Sequence, residues 1–333
     1  MTTAPAVARD VPSAAEALGR TRALVAPQLE AAISRLSPQL ESAVRHHLEG
    51  GGKFVRAGLV LLSAAAVGSD EDVATVGAVA IELVHNFSLI HDDIIDGDLE
   101  RRHRPTVWAK HGVGHAIITG DALVTLALQL LLEEPTPSRV TAAARLAEAT
   151  QMMIAGQAED MAFERRPWLS VEECLHMAAG KTGALLSCAS SLGAVLAGAP
   201  ASTVEALAEY GRHLGIAFQA IDDVLGIWGE PTATGKPVGN DLRNHKKTLP
   251  VAIAWAAAGT ADALGCLLAG ELSDSDVAAA SALLEECGAR QATMAMGAWH
   301  LRAALGALEG LELEPGPSAA LAAVARYVTA RDR

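Results

Sequence analysis

The stretch "LVHNFSLIHDDIIDGDLERRHRPTVW" occupies residues 83–108. Its first half places apolar residues three and four apart, as on a helix face turned to a core. It then runs into five acids and three arginines. Asp92 and Asp96 are four apart, about one turn along one helical face, and Asp93 lies three before Asp96. Like charges this close repel, and the arrangement is tolerable only with cations present. Hard oxygen ligands at this spacing suit Mg²⁺, which keeps several waters and is completed by substrate phosphates. Taken alone, the cluster reads more simply as a solvated helix end.

A second cluster changes that reading. "FQAIDDVLGIWG" (218–229) again sets two adjacent aspartates, Asp222 and Asp223, late in a long apolar helix. "TGKPVGNDLRNHKKTLP" (234–250) follows it with Lys236, Asp241, Lys246 and Lys247. Two apolar helices that each carry paired aspartates, each followed by basic residues, imply one shared cavity. Its rim suits Mg²⁺ and diphosphate, and its floor is greasy. A substrate with a polyphosphate head and a hydrocarbon tail fits both.

Composition agrees. The chain has 333 residues, 50% of them hydrophobic and only 3% aromatic. Alanine and leucine dominate, and no stretch alternates β-branched residues with period two, which favours helices. A net charge of −13 excludes a nucleic-acid backbone binder, which needs a basic face. Residues 1–14 carry no signal-peptide pattern, so a cytoplasmic protein is expected. The longest uncharged stretch, Gly183 to Val204, is broken by serines, glycines and a proline, and reads as a buried helix and turn, not a membrane span. Cys174, Cys188, Cys266 and Cys287 form no CxxC pair, so reduced thiols are expected. His111 and His115 are four apart but lack a ligand set and read as core or surface histidines.

Turn signals at 49–53, 68–72, 133–138, 164–170, 197–202, 228–241 and 311–318 cut the chain into long helical pieces. Ser69 or Asp70 is expected to cap the helix that runs through Val84, and Thr136 or Ser138 the helix that follows the turn at 133–138. The expected fold is all-α: one domain over residues 1–333, a bundle of long antiparallel helices around a deep central pocket. Disorder is expected only over about residues 1–12.

Five stretches in order, "GGKFVR" (51–56), "HDDIIDGDLERRHRPT" (91–106), "GQAED" (156–160), "GKTGALL" (180–186) and the second aspartate region, resemble the all-trans isoprenyl diphosphate synthases, the farnesyl and geranylgeranyl diphosphate synthase family. The closing "RYVTARDR" resembles that family's end. The resemblance implies that Asp92, Asp93 and Asp96, helped by Arg101, hold two Mg²⁺ ions on an allylic diphosphate. It implies that Asp222, and less directly Asp223, hold a third. Lys181, Lys236 and Lys246 lie among the residues expected to meet the diphosphates. Lys53, Arg56, His85 and Arg102 would cradle isopentenyl diphosphate. Lys181, Thr182 and Gln219 would face the developing carbocation with oxygen atoms. A homodimer is implied too.

Three positions depart from the family pattern. Gly226 stands where the second motif normally closes with a third aspartate; if Asp222 alone anchors the third metal, Gly226→Asp is expected to change activity only modestly, with a lower Mg²⁺ requirement. Phe54 and Ala57 replace an arginine and a proline, and His103 replaces a glycine. Product length follows from the helix before Asp92. Ser88 and Phe87 lie about 6 and 7.5 Å below it, and Ser88 falls within about 40° of its face. In the resembled family, bulk at these two positions sets chain length, so mainly a twenty-carbon product is expected, with fifteen carbons second. The rivals are a class I terpene cyclase, which needs no Lys53, Arg56 and His85 site, and a weakly active regulatory subunit, whose one support is Gly226.

Overall fold

The first helix shows how local chemistry sets the element boundaries. Ser13 accepts from the Glu16 amide while Glu16 accepts from the Ser13 amide, a capping box that starts α1 (Ala14–Ile33). The computed structural model describes residues 13–230 and 237–330. The N-terminal stretch expected to be disordered, and Lys236, lie outside them. Helices α2 (Pro38–Leu48) and α3 (Val55–Ala66) follow, then α4 (Thr75–Ile95), which carries the first aspartates. The expected cap at Asp70 starts a short 3₁₀ turn, Glu71–Ala74, ahead of α4 and makes no side-chain bond. The chain continues through α5 (Val107–His111), α6 (Val113–Leu132) and α7 (Pro137–Phe163). The Thr136 side chain caps α7 by accepting from the Arg139 amide, as its sequence predicts.

Next come α8 (Val171–Ala178), a π-helical turn over Ala179–Gly183, α9 (Ala184–Leu196) and α10 (Ala201–Trp228), which bears the second aspartate pair. Helix α9 is the central strut, buried at every position but Ser187. It packs against α3, α7 and α10, while α4 lies along α6, and α10 lies along the helix Ala289–Ala307. One apolar core includes both Ala14 of the first helix and Val328 of the last. A smaller cluster around Ile227, Leu242, Val251 and Val277 anchors the shorter helices that follow α10. The all-α architecture matches the expectation. Both Cys174 and Cys188 are buried free thiols, pushed up to about 12 mainly by burial, which keeps them unreactive.

Two helical stretches, Glu71–Ile95 and Val113–Leu132, are long and apolar enough to cross a membrane by length and composition. The first is mostly buried inside the protein. A cavity of about 610 Å³, lined by Gln28, Arg35, Asp72, Val76 and Leu130 among others, opens near the start of α4. It lies about 25 Å of helix from Asp92 and belongs to neither aspartate cluster.

Among the described residues the only strands are Glu100–Arg101 and Arg104–Pro105, an antiparallel hairpin pairing Arg101 with Arg104. Its two turn residues, Arg102 and His103, have φ of 55° and 61°. That is the left-handed geometry a tight two-residue hairpin requires at both positions. It explains why glycine suits position 103 and why histidine is strained there. His103→Val should lower the thermal midpoint by a few degrees, since a β-branched residue tolerates this region poorly and the strain is about 1–2 kcal/mol. His103→Gly should not lower it. Equal melting curves for wild type and His103→Val would contradict the turn assignment.

Candidate active site

Asp92 and Asp93 sit in the last turn of α4, where the closing backbone carbonyls already disfavour negative charge, while Asp222 and Asp223 lie further back, ahead of the last turn of α10. The fold divides each pair in the same way. Asp92 is half-buried, whereas Asp93 is 1% exposed and accepts from Arg101 Nε at 2.7 Å. Asp222 is half-buried, whereas Asp223 is 7% exposed. Asp223 accepts from Gln219 Nε2 at 2.8 Å and from the Leu249 amide at 2.9 Å. So the first aspartate of each pair is the more exposed one, and the second ties a neighbouring segment to the helix. This separates Asp93 and Asp223 from the open carboxylates among which the sequence grouped them. The hairpin exists to return Arg101 onto Asp93, eight residues back along the chain.

The electrostatics report an acid-rich cleft. Burial pushes the Asp92 carboxyl up to about 6; Asp96 and Asp93 push the same way, while Lys181 opposes them. Burial likewise raises Asp223 to about 7, reinforced by Asp241 and Asp222. The two clusters share one space. Lys246 Nζ, from the segment after α10, lies 3.5 Å from Asp96 Oδ2 at the end of α4. Lys246 also feels Asp241 and Asp160, and these carboxylates hold its pKa above the ordinary lysine value against burial.

The π-helical turn carries the next group. Such wide turns are rare and concentrate at functional sites. Here it presents Lys181 and Thr182, with Lys181 Nζ donating to Asp160 Oδ2 at 2.5 Å. Thr182 Oγ1 donates to Gln219 Oε1 at 2.7 Å, and Gln219 passes the chain on to Asp223. The approach demands glycine at 156: a Cβ there would stand 2.3 Å from the Lys181 nitrogen. That accounts for the glycine in "GQAED". Asp160 in the same stretch is a site residue given no role from sequence.

A basic recess lies beside these groups, lined by His47, Gly50, Arg101, Arg102 and Arg104. Arg56 Nη1 lies 3.1 Å from His85 Nε2, which must accept because guanidinium only donates. Burial, then Arg56, holds His85 well below its ordinary value, so it is neutral. His47, which sequence reasoning missed, donates through Nε2 to Asn86 Oδ1 at 3.1 Å and is pushed down to about 3, chiefly by burial. Arg102 folds against Gly50. Lys53 Nζ sits 5.6 Å over the ring of Tyr327, which belongs to the helix Pro315–Thr329. Lys236 lies outside the described residues.

Of the chain-length positions, Ser88 is half-buried on the face shared with His85, Leu89 and Asp92, its hydroxyl donating to the His85 carbonyl. Phe87 is 7% exposed and packs edge-on against His91, ring centroids 4.9 Å apart. His111 and His115 stack on one another at 5.4 Å, and among the described residues no three metal-binding side chains converge on one point. Mg²⁺ takes one or two carboxylates and completes its shell with water and substrate phosphate. The hard oxygens of Asp92, Asp96 and Asp222 fit such an ion.

The polyprenyl synthetase family profile matches residues 37–284. A (2E,6E)-farnesyl diphosphate synthase of Mycobacterium tuberculosis is 44% identical over 94% of this chain and 92% of its own. A geranylgeranyl diphosphate synthase of the same organism is 42% identical over 87% of each. The crystal structure of a polyprenyl synthetase from Streptomyces coelicolor superposes with a TM-score of 0.89 at 45% identity, covering 94% of this chain and 98% of that one. The all-helical fold and these matches define a class of prenyl diphosphate synthases. Within it, this chain belongs to the polyprenyl synthetase family and is a short-chain prenyltransferase.

Proposed function

We propose that the chain condenses isopentenyl diphosphate with an allylic diphosphate, in the presence of Mg²⁺, to give mainly geranylgeranyl diphosphate and pyrophosphate. The observation that carries this is the Lys246–Asp96 contact, which brings the segment that follows the second aspartate motif against the end of the first. Asp92, Asp96 and Asp222 hold the ions, three with substrate bound, while Asp93 and Asp223 brace Arg101 and the Gln219–Leu249 wall. Mg²⁺ held there would supply the positive charge that a departing diphosphate needs. Lys181, Lys246 and Lys236 add positive charge on the same oxygens. Thr182 has committed its proton to Gln219, so its lone pairs face the cation that forms. Lys53, Arg56, His85 and Arg102 bind the second diphosphate. The leaving diphosphate takes the final proton, so neutral His85 need not act as a base.

Twenty carbons follow from a small residue, Ser88, on the open face of α4. The farnesyl-named relative supports fifteen as the second reading. The enzyme acts in the cytoplasm as one domain and as a homodimer. The exposed apolar side chains of Val113, Ile117 and Ile118 on α6 supply a face for a second copy. Incubation with isopentenyl and farnesyl diphosphates should consume both with Mg²⁺ and neither with a chelator. Cyclised hydrocarbon without isopentenyl diphosphate consumption would instead indicate a terpene cyclase, and no turnover a regulatory subunit.

A further inference from the structure

The family's third aspartate is missing at Gly226, yet the space it would fill is occupied. A Cβ built on Gly226 would lie 1.9 Å from Asp241 Oδ2, 2.4 Å from Asp241 Cγ and 3.1 Å from Oδ1. Position 226 is four residues after Asp222, hence one turn on along the same helical face. A carboxylate from elsewhere in the chain therefore stands where the side chain at 226 would begin. We propose that Asp241 supplies the third carboxylate of the second aspartate motif, delivered across the cleft wall and not from α10, with Gly226 as the vacancy that admits it.

The backbone around Asp241 is pinned for that task. The Gly239 amide donates to the Ile227 carbonyl at 3.1 Å, clipping the incoming segment to the last turn of α10. Gly239 takes a left-handed φ of 73° and starts the short helix Asn240–Arg243. Leu242 anchors that helix at 1% exposure, and the Lys246 amide donates back to the Asp241 carbonyl at 2.9 Å. Asp241 and Lys246 thus come from one braced loop, and Lys246 reaches on to Asp96. Glycine at 226 and aspartate at 241 are a matched pair, because no side chain fits at 226 until Asp241 withdraws. On this reading Gly226→Asp is disruptive, not mild. The new side chain would collide with Asp241 and set a further carboxylate beside it.

The inference rests on the diphosphate reading of the cleft, and its test separates the two. The measurement is Mg²⁺-dependent binding of inorganic pyrophosphate by calorimetry, with the thermal midpoint of each free protein as a control for folding. Wild type should take up a further pyrophosphate when Mg²⁺ is added, beyond any that the basic recess holds without metal. Asp241→Asn, nearly isosteric, should keep the midpoint and raise the Mg²⁺ needed for half-saturation about 10-fold or more, the scale of losing a carboxylate that orients a metal shell. Gly226→Asp should also weaken binding. The combined Gly226→Asp, Asp241→Gly protein, which returns the carboxylate to α10, should come within about threefold of wild type and bind better than Asp241→Gly alone. An unchanged Mg²⁺ requirement in Asp241→Asn, or a combined variant no better than Asp241→Gly, overturns the inference and leaves the diphosphate reading standing. Wild type that ignores pyrophosphate overturns both.

Discussion

Asp92→Ala should reduce turnover by well over the roughly 10–100-fold that loss of a ligand-orienting partner costs, because it removes a carboxylate that faces the cleft. The free protein should melt no lower than wild type. Burial holds the Asp92 carboxyl near 6, above its ordinary value, so its ionised form is the one the fold disfavours. The stability this group contributes is fully present at low pH and is lost as pH rises through that value. At neutral pH the alanine removes a disfavoured charge. Burial raises the Asp93 carboxyl too, but there the Arg101 charge and hydrogen bond oppose the shift, so Asp93→Ala should lower stability. It strips Arg101 of its 2.7 Å partner, and Arg101 is 29% exposed, so about 1–3 kcal/mol of stability should go, less than a fully buried pair would lose. Steady-state kinetics in saturating Mg²⁺ beside melting curves would separate the two neighbours. If Asp92→Ala kept near-wild-type turnover, or if Asp93→Ala melted unchanged while losing all activity, the two roles would be reversed.

Ser88→Phe should move the product from twenty carbons toward fifteen. The half-buried residues of α4 at 85, 88, 89 and 92 recur at helical spacing and define the open face below the aspartates. Ser88 lies about 6 Å under Asp92, close to the depth of one isoprene unit. Its hydroxyl bonds only within its own helix turn, so a benzyl group there meets no polar partner to displace beyond the His85 carbonyl. Phe87→Ala should lengthen the product by opening the wall where the ring meets His91. That change also empties a packed site, with a loss of about 3–5 kcal/mol typical for a buried phenylalanine, so its products must be read below its melting range. Chromatography of dephosphorylated products, with excess isopentenyl diphosphate, gives the distribution. An unchanged distribution in both variants would place the floor on other residues.

How much of this was legible in the sequence follows from the geometry of each part. The two aspartate pairs were legible because their spacing is local and their apolar helices are long. Which member of each pair faces the cleft was not: adjacent helical residues point about 100° apart, and the rotation of α4 and α10 is set by packing on α6 and α9. The π-helical turn at Ala179–Gly183 left no signal beyond its two glycines. The Arg101–Asp93 pair was half legible, since basic partners were visible but the hairpin that returns them depends on left-handed residues at 102 and 103. The Gly226–Asp241 contact was illegible, because two residues fifteen apart meet only once the intervening loop is folded.

The central claim is that Asp92, Asp96 and Asp222 face one cleft as an unfinished metal site, completed only by substrate phosphate. Mn²⁺ titration followed by electron paramagnetic resonance, with and without inorganic pyrophosphate, tests it most directly. Weak binding of Mn²⁺ alone, with about three ions taken up per chain once pyrophosphate is present, is the predicted result. Tight binding without pyrophosphate, or no uptake with it, would contradict the account.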